Sequence, residues 1–147
     1  RVSDATRAAM WAGIAAVATA RHLNDVGGAI EDAIDAQPGP LGNLEQYTGH
    51  GIGRDMHEDP TVFNYRVRRR GPAVKPGLAI CIEPMLTGGS GDVVVDDDGW
   101  TVRSADGTVG AHWEHTVIRH RGGIWVTTAH DGGAAGLAPH GVVPVAP

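Results

Sequence analysis

The sequence holds a single cysteine, Cys81, so no disulfide can close within the chain. Nor does it hold a long apolar run. Its longest stretch free of charged residues and histidine, Ala8 to Ala20, is thirteen residues between Arg7 and Arg21, short of the roughly 20 that a bilayer span needs. Too few basic residues precede that stretch for an export signal. The expected compartment is therefore the cytoplasm, with no membrane partner. Positive charge is scarce as well: 17 acidic residues against 12 basic ones leave a net charge of −5, which gives no global field for nucleic acid. The one basic cluster, "RVRRR" (Arg66 to Arg70), has Tyr65 as its only aromatic companion and reads as a solvated loop. No internal repeat is present. At 147 residues the chain fits one domain, and its first residue, Arg1, reads as the product of processing, of tag removal or of a longer protein.

What is present changes character near residue 46. "SDATRAAMWAGIAAVATA" (3–20) predicts a helix capped by Ser3, with Met10, Ile14, Val17 and Ala18 on one face. A second helix is predicted from Val26 to Ala36, opened by Asn24 or Asp25 and stopped by "PGP" at 38–40. "PGLAICIEPML" (76–86) alternates like a strand, and "DVVVDDDGWTVRS" (92–104) reads as two short strands around an Asp-rich turn. "WEHTVIRHRGGIWVTT" (113–128) predicts a hairpin turning at "RGG". From Ala129 to Pro147 the chain is rich in Gly, Ala and Pro without a periodic apolar face, and a weakly ordered tail is expected. The body, residues 1–128, is thus an α+β unit of two helices followed by antiparallel strands.

The stretch "GHGIGRDMHEDP" (49–60) sets two histidines seven residues apart among glycines at every second position. If extended, Gly49, Gly51 and Gly53 leave one face bare while His50 and Ile52 point the other way. A bare face gives clearance for a ligand or another backbone, and the pentapeptide alone equally suits a turn around a packed histidine. Position 61 is Thr, so "HE" at 57–58 is not half of a two-histidine helical zinc site. Instead His57 falls in a turn closed by Pro60, aimed at whatever His50 faces. Glu83 ends an apolar strand, where a carboxylate is costly unless paired or bound to a metal, and Pro84 restricts its backbone to the extended region. Glu114 stands similarly within "AHWEHTVI". One imidazole and two carboxylates suit Mn, Fe, Co or Zn; structural salt bridges are the rival reading, with one lysine and eleven arginines to supply them.

Three stretches, "YTGHGIGRDMHEDPTVFNY", "KPGLAICIEPML" and "DDGWTVRSADGTVGAHWEHTVI", resemble in order and interval three successive motifs of type I methionine aminopeptidases, within the pita-bread metallopeptidase family. The intervals are 33 residues from His50 to Glu83 and 31 from Glu83 to Glu114, and the likeness runs from the first helix to about Thr128. Proline-directed members read "EPG" where this chain has "EPM", so the methionine-specific branch is the better match. The resemblance implies half of a pita-bread fold, with His50, Glu83 and Glu114 as metal ligands and Glu114 bridging two ions. It implies that His57 is catalytic, stabilising the tetrahedral intermediate, and that Glu83 relays a proton to the leaving amine. Met56 and Trp100 match positions that wall the pocket for a methionine side chain, a role that for Trp100 competes with core packing. The implied reaction removes the N-terminal methionine of nascent proteins whose second residue is small, using divalent Co, Mn, Fe or Zn, with the ribosome as a candidate partner.

One part of the resemblance fails. The family's other half supplies two aspartates separated by ten residues, and no two aspartates here stand eleven positions apart. Glu83 and Glu114 bring −2, enough for one divalent ion and short of two, so at most one ion is expected. The expectation is a C-terminal portion, inactive alone, whose missing half comes from elsewhere or in trans. The alternative is a non-catalytic pita-bread module that binds a peptide terminus or a partner protein.

Overall fold

The computed structural model describes residues 1–147. Its alanine-rich first helix, α1 (Val2–Val17), ends three residues before the predicted limit. There the chain turns away so that His22 can bridge to Ala73. Ser3 is not its cap: no side chain closes that end, and the Ser3 hydroxyl instead accepts a hydrogen bond from the Trp113 indole at 2.9 Å. Helix α2 (Asn24–Asp35) starts two residues earlier than expected and stops before Pro38. Met10, Ile14 and Val17 of α1 and Val26, Ile30 and Ile34 of α2 form the helical side of the core.

Ten short strands follow: β1 (Gly42–Asn43), β2 (Gly49–Gly51), β3 (Glu58–Val62), β4 (Leu78–Ile82), β5 (Met85–Thr87), β6 (Val93–Val95), β7 (Val102–Ser104), β8 (Gly110–His112), β9 (His115–His120) and β10 (Gly123–Val126). They make a five-stranded antiparallel sheet in the order β10-β9-β4-β2-β3, a three-stranded sheet β1-β5-β8, and the hairpin β6-β7. The large sheet turns Ile80, Ile82, Val117, Ile124 and Val126 onto the helices. No helix is long and apolar enough to cross a membrane.

The predicted strand 76–86 is in fact two strands in different sheets, broken at Glu83–Pro84. Proline has no N–H to offer a ladder, so the chain leaves one sheet there and joins the next. The facing run breaks at the same level without a shift of register, since Ile82 pairs with His115 and Met85 with His112. Trp113 and Glu114 therefore cross between sheets beside Glu83 and Pro84. Both carboxylates singled out in the sequence occupy the seam.

Residues 129–147 are not the loose tail expected. Asp131 accepts hydrogen bonds from the Gly133 and Ala135 amides and so opens a short helix, α3 (Ala134–Leu137). Gly136 lies against the Trp11 ring, Leu137 is fully buried, and the Val145 amide donates to Ile124 at 2.9 Å beside β10. One anchoring leucine in nineteen residues makes no period that a sequence can display.

Candidate metal centre

Side chains directly opposite in an antiparallel pair share a face. His50 of β2 is opposite Cys81 of β4, which is opposite Thr116 of β9. Ile80, Ile82 and Val117 face the helices, so alternation puts His50, Cys81 and Thr116 on the other face. Glu83 and Glu114, each two residues away along its strand, continue this face into the seam. The glycines beside His50 are explained by packing rather than by room for a ligand. A Cβ on Gly49 would collide with the Cys81 carbonyl, and one on Gly51 with the Asp59 carbonyl. The clearance serves the neighbouring strands.

The arrangement of donors is specific. His50 Nδ1 lies 2.8 Å from the Gly51 carbonyl oxygen, an acceptor only, so Nδ1–H donates and Nε2 carries the lone pair in the neutral ring. That Nε2 stands 3.1 Å from Glu83 Oε1. Two acceptors at this distance require positive charge between them, as a proton or a cation. Two donors about 2.1 Å from a shared transition-metal ion stand about 3.0–3.4 Å apart when adjacent and about 4.2 Å when opposite. The His50–Glu83 spacing fits the adjacent case. Glu114 completes the set: one ligand atom each from His50, Cys81 and Glu114 lie within 4.8 Å of one another, as do those of Glu83, His112 and Glu114. The predicted trio is thus divided between two adjoining clusters that share Glu114.

His112 and Cys81 were not anticipated. "CIE" and "HWE" are the signal that would have shown them, since each places two donors two residues apart on one strand face. A hydrogen bond to Glu83, His112 Nε2 to Oε2 at 3.2 Å, raises the His112 pKa, with burial in partial opposition. Burial pushes the Cys81 thiol up, while its contact with the Thr116 hydroxyl at 3.4 Å works the other way. His115, although next to Glu114, turns to the helices and packs on Trp11, and burial lowers its pKa.

Beside the donors lies an open cleft of about 560 Å³, lined by Tyr47, Thr48, His50, His57, Glu83, Met85, Val95, Gly99, Trp100 and Val102. The His57 ring meets that of His50 edge-on, with centroids 4.4 Å apart. Trp100 is no core residue: it is 87% exposed, at the tip of the β6–β7 hairpin. Asp98 holds that tip by accepting the Trp100 and Thr101 amides at 2.9 and 2.8 Å. Met56 is outside the lining and 70% exposed, in the bend before β3, so the structure does not place it in the pocket wall.

Residues 1–120 match the profile of metallopeptidase family M24. The chain belongs to that family. It is 48% identical over 120 residues to methionine aminopeptidase 1 of Mycobacterium tuberculosis, covering 79% of this chain and 45% of the relative. Among solved M24 structures, methionine aminopeptidase of Rickettsia prowazekii superposes with a TM-score of 0.80 at 34% identity, over 88% of this chain and 52% of that one. That of Thermotoga maritima gives a TM-score of 0.80 at 32% identity, over 88% and 51%. The α+β, pita-bread class expected from the sequence holds. The chain spans about half the length of the M24 relatives it matches.

Proposed function

We propose that this chain forms the histidine–glutamate half of a methionine aminopeptidase, acting in the cytoplasm on the N-termini of nascent proteins whose second residue is small. The observation that carries the reading is the facing pair His50 Nε2 and Glu83 Oε1, 3.1 Å apart with Glu114 alongside, at the edge of a cleft that holds His57 and Trp100. The relatives' names supply the substrate class. His50, Glu83 and Glu114 would hold a divalent Co, Mn, Fe or Zn ion, and the complete site would take two. When bound, the metal supplies Lewis-acid polarisation of the scissile carbonyl and lowers the pKa of the attacking water.

The chain's own residues do the rest. Trp100, with Met85 and Val102, walls the cleft against a methionine side chain. His57, at ring contact with His50, donates to the oxygen that gains charge in the tetrahedral intermediate. Glu83 accepts a proton from the attacking water and passes it to the departing amine. Glu83 and Glu114 balance one divalent cation, so a second ion needs carboxylates from outside these 147 residues, in the same polypeptide or in trans. Contact with the ribosome would follow from acting on nascent chains.

Hydrolysis of Met-Ala-Ser with cobalt or manganese tests this. The chain alone is expected to give no turnover, and addition of the segment of the M. tuberculosis relative that this chain does not match is expected to restore it. Steady turnover by the chain alone, or none with the complementing segment, would contradict the proposal.

A further inference from the structure

Glu83 carries a histidine on each oxygen: His50 Nε2 at 3.1 Å from Oε1 and His112 Nε2 at 3.2 Å from Oε2. Only the first has a role in the proposed function. We propose that His112 is itself a metal ligand, holding a divalent transition-metal cation together with Glu83 and Glu114. The inference rests on the reading of His50, Glu83 and Glu114 as a cation site.

Three features support it. One ligand atom each from Glu83, His112 and Glu114 lie within 4.8 Å of one another, so closing them to the about 4.2 Å that spans an ion needs only small side-chain rotations. The seam enforces the grouping: His112 is the last residue of β8, opposite Met85, and Glu114 follows two residues later where the chain crosses between sheets. Two carboxylates match the charge of a divalent ion, and an added imidazole selects zinc, cobalt or copper over magnesium and calcium. The His112 side chain is 41% exposed, which leaves an ion a path to it. The other cluster, His50, Cys81 and Glu114, offers a thiol instead. The two positions therefore differ in their chemistry and can be told apart.

A bystander that only orients Glu83 would shift affinity by about 10–100-fold when changed; a ligand should do more and should be visible on the metal. The experiment is zinc K-edge X-ray absorption and zinc titration on the full 147-residue chain and on His112→Gln, which keeps a hydrogen-bond donor toward Glu83. The expected result is one imidazole fewer on zinc in His112→Gln and a dissociation constant raised by more than about 100-fold. An unchanged imidazole count overturns the proposal. If His50→Ala alone abolishes uptake, the wider site stands without His112, whereas uptake indifferent to both changes removes the site as well. A sulfur at about 2.3 Å with the imidazole count unchanged puts the ion on Cys81 and also overturns it. Should His112→Gln fail to fold, the nitrogen resonances of the wild-type His112 ring on zinc addition read the same contact. Movement of Nε2 supports ligation, and stillness overturns it.

Discussion

Glu83 has 12% of its side chain exposed and a histidine on either oxygen, so its charge is held by neighbours rather than by water. Such a residue is legible in a sequence, because a carboxylate inside an apolar strand contradicts its surroundings and demands a partner. His50, Glu114 and His57 are legible for related reasons. His112 and Cys81 show only as the i, i+2 spacing to Glu114 and Glu83, a weak signal, since a histidine beside a loop and a cysteine in a strand violate nothing until the register brings them to the carboxylates. Met56 fails in the opposite sense: adjacency to His57 in sequence does not carry it into the cleft, because the bend before β3 leaves it in solvent. Asp98 gives a residue-scale prediction. The Thr101 hydroxyl, then the Thr101 and Trp100 amides, hold its carboxyl below the ordinary aspartate range. A lowered folded-state pKa means that the turn is fully supported above the unfolded value of about 3.9 and loses that support as pH falls through the lowered value. The Trp100 and Thr101 amide resonances should therefore stay fixed from neutrality to about pH 4 and move only below it. Movement at higher pH would mean that Asp98 does not hold the tip.

At the scale of elements, helices and hairpins follow from periodicity and turn residues, and their order is legible. The sheets are not. Whether 76–86 is one strand or two depends on Pro84 breaking the ladder, and on Trp113 and Glu114 breaking it at the same level in the facing run. That seam is what brings two carboxylates together. The tail is misread for a different reason, since α3 is anchored by a single buried leucine. Replacing it, Leu137→Ala, should cost about 2–5 kcal/mol in urea unfolding; a change below about 0.5 kcal/mol, the usual size at a surface position, would show that residues 129–147 do not pack as described. Strand β2 makes the matching prediction from the small side. Gly49→Ala should cost about 1–3 kcal/mol, because the methyl must displace the Cys81 carbonyl. It should also weaken zinc binding by moving His50 away from Glu83. Unchanged stability and affinity together would contradict the packing role given to Gly49.

At the scale of the whole molecule, the candidate donors lie on one face of the fold. A core of helices and sheet is complete, while the opposite sheet face carries His50, Glu83 and Glu114 beside an open cleft with Trp100 exposed at its rim. Absence of the aspartate pair is legible by counting, and it agrees with a match to about half of each relative. A cation that binds the folded chain alone stabilises it by about 2.7 kcal/mol at a hundredfold excess over its dissociation constant, roughly 5–10 °C in melting temperature for a chain of this size. The measurement that bears most directly on the account is calorimetric titration of zinc into the wild-type chain, His50→Ala, Glu83→Gln and Glu114→Gln. One ion per wild-type chain, with binding abolished or severely weakened in each variant, is the predicted result. Equal heats and affinities in all four proteins would contradict it.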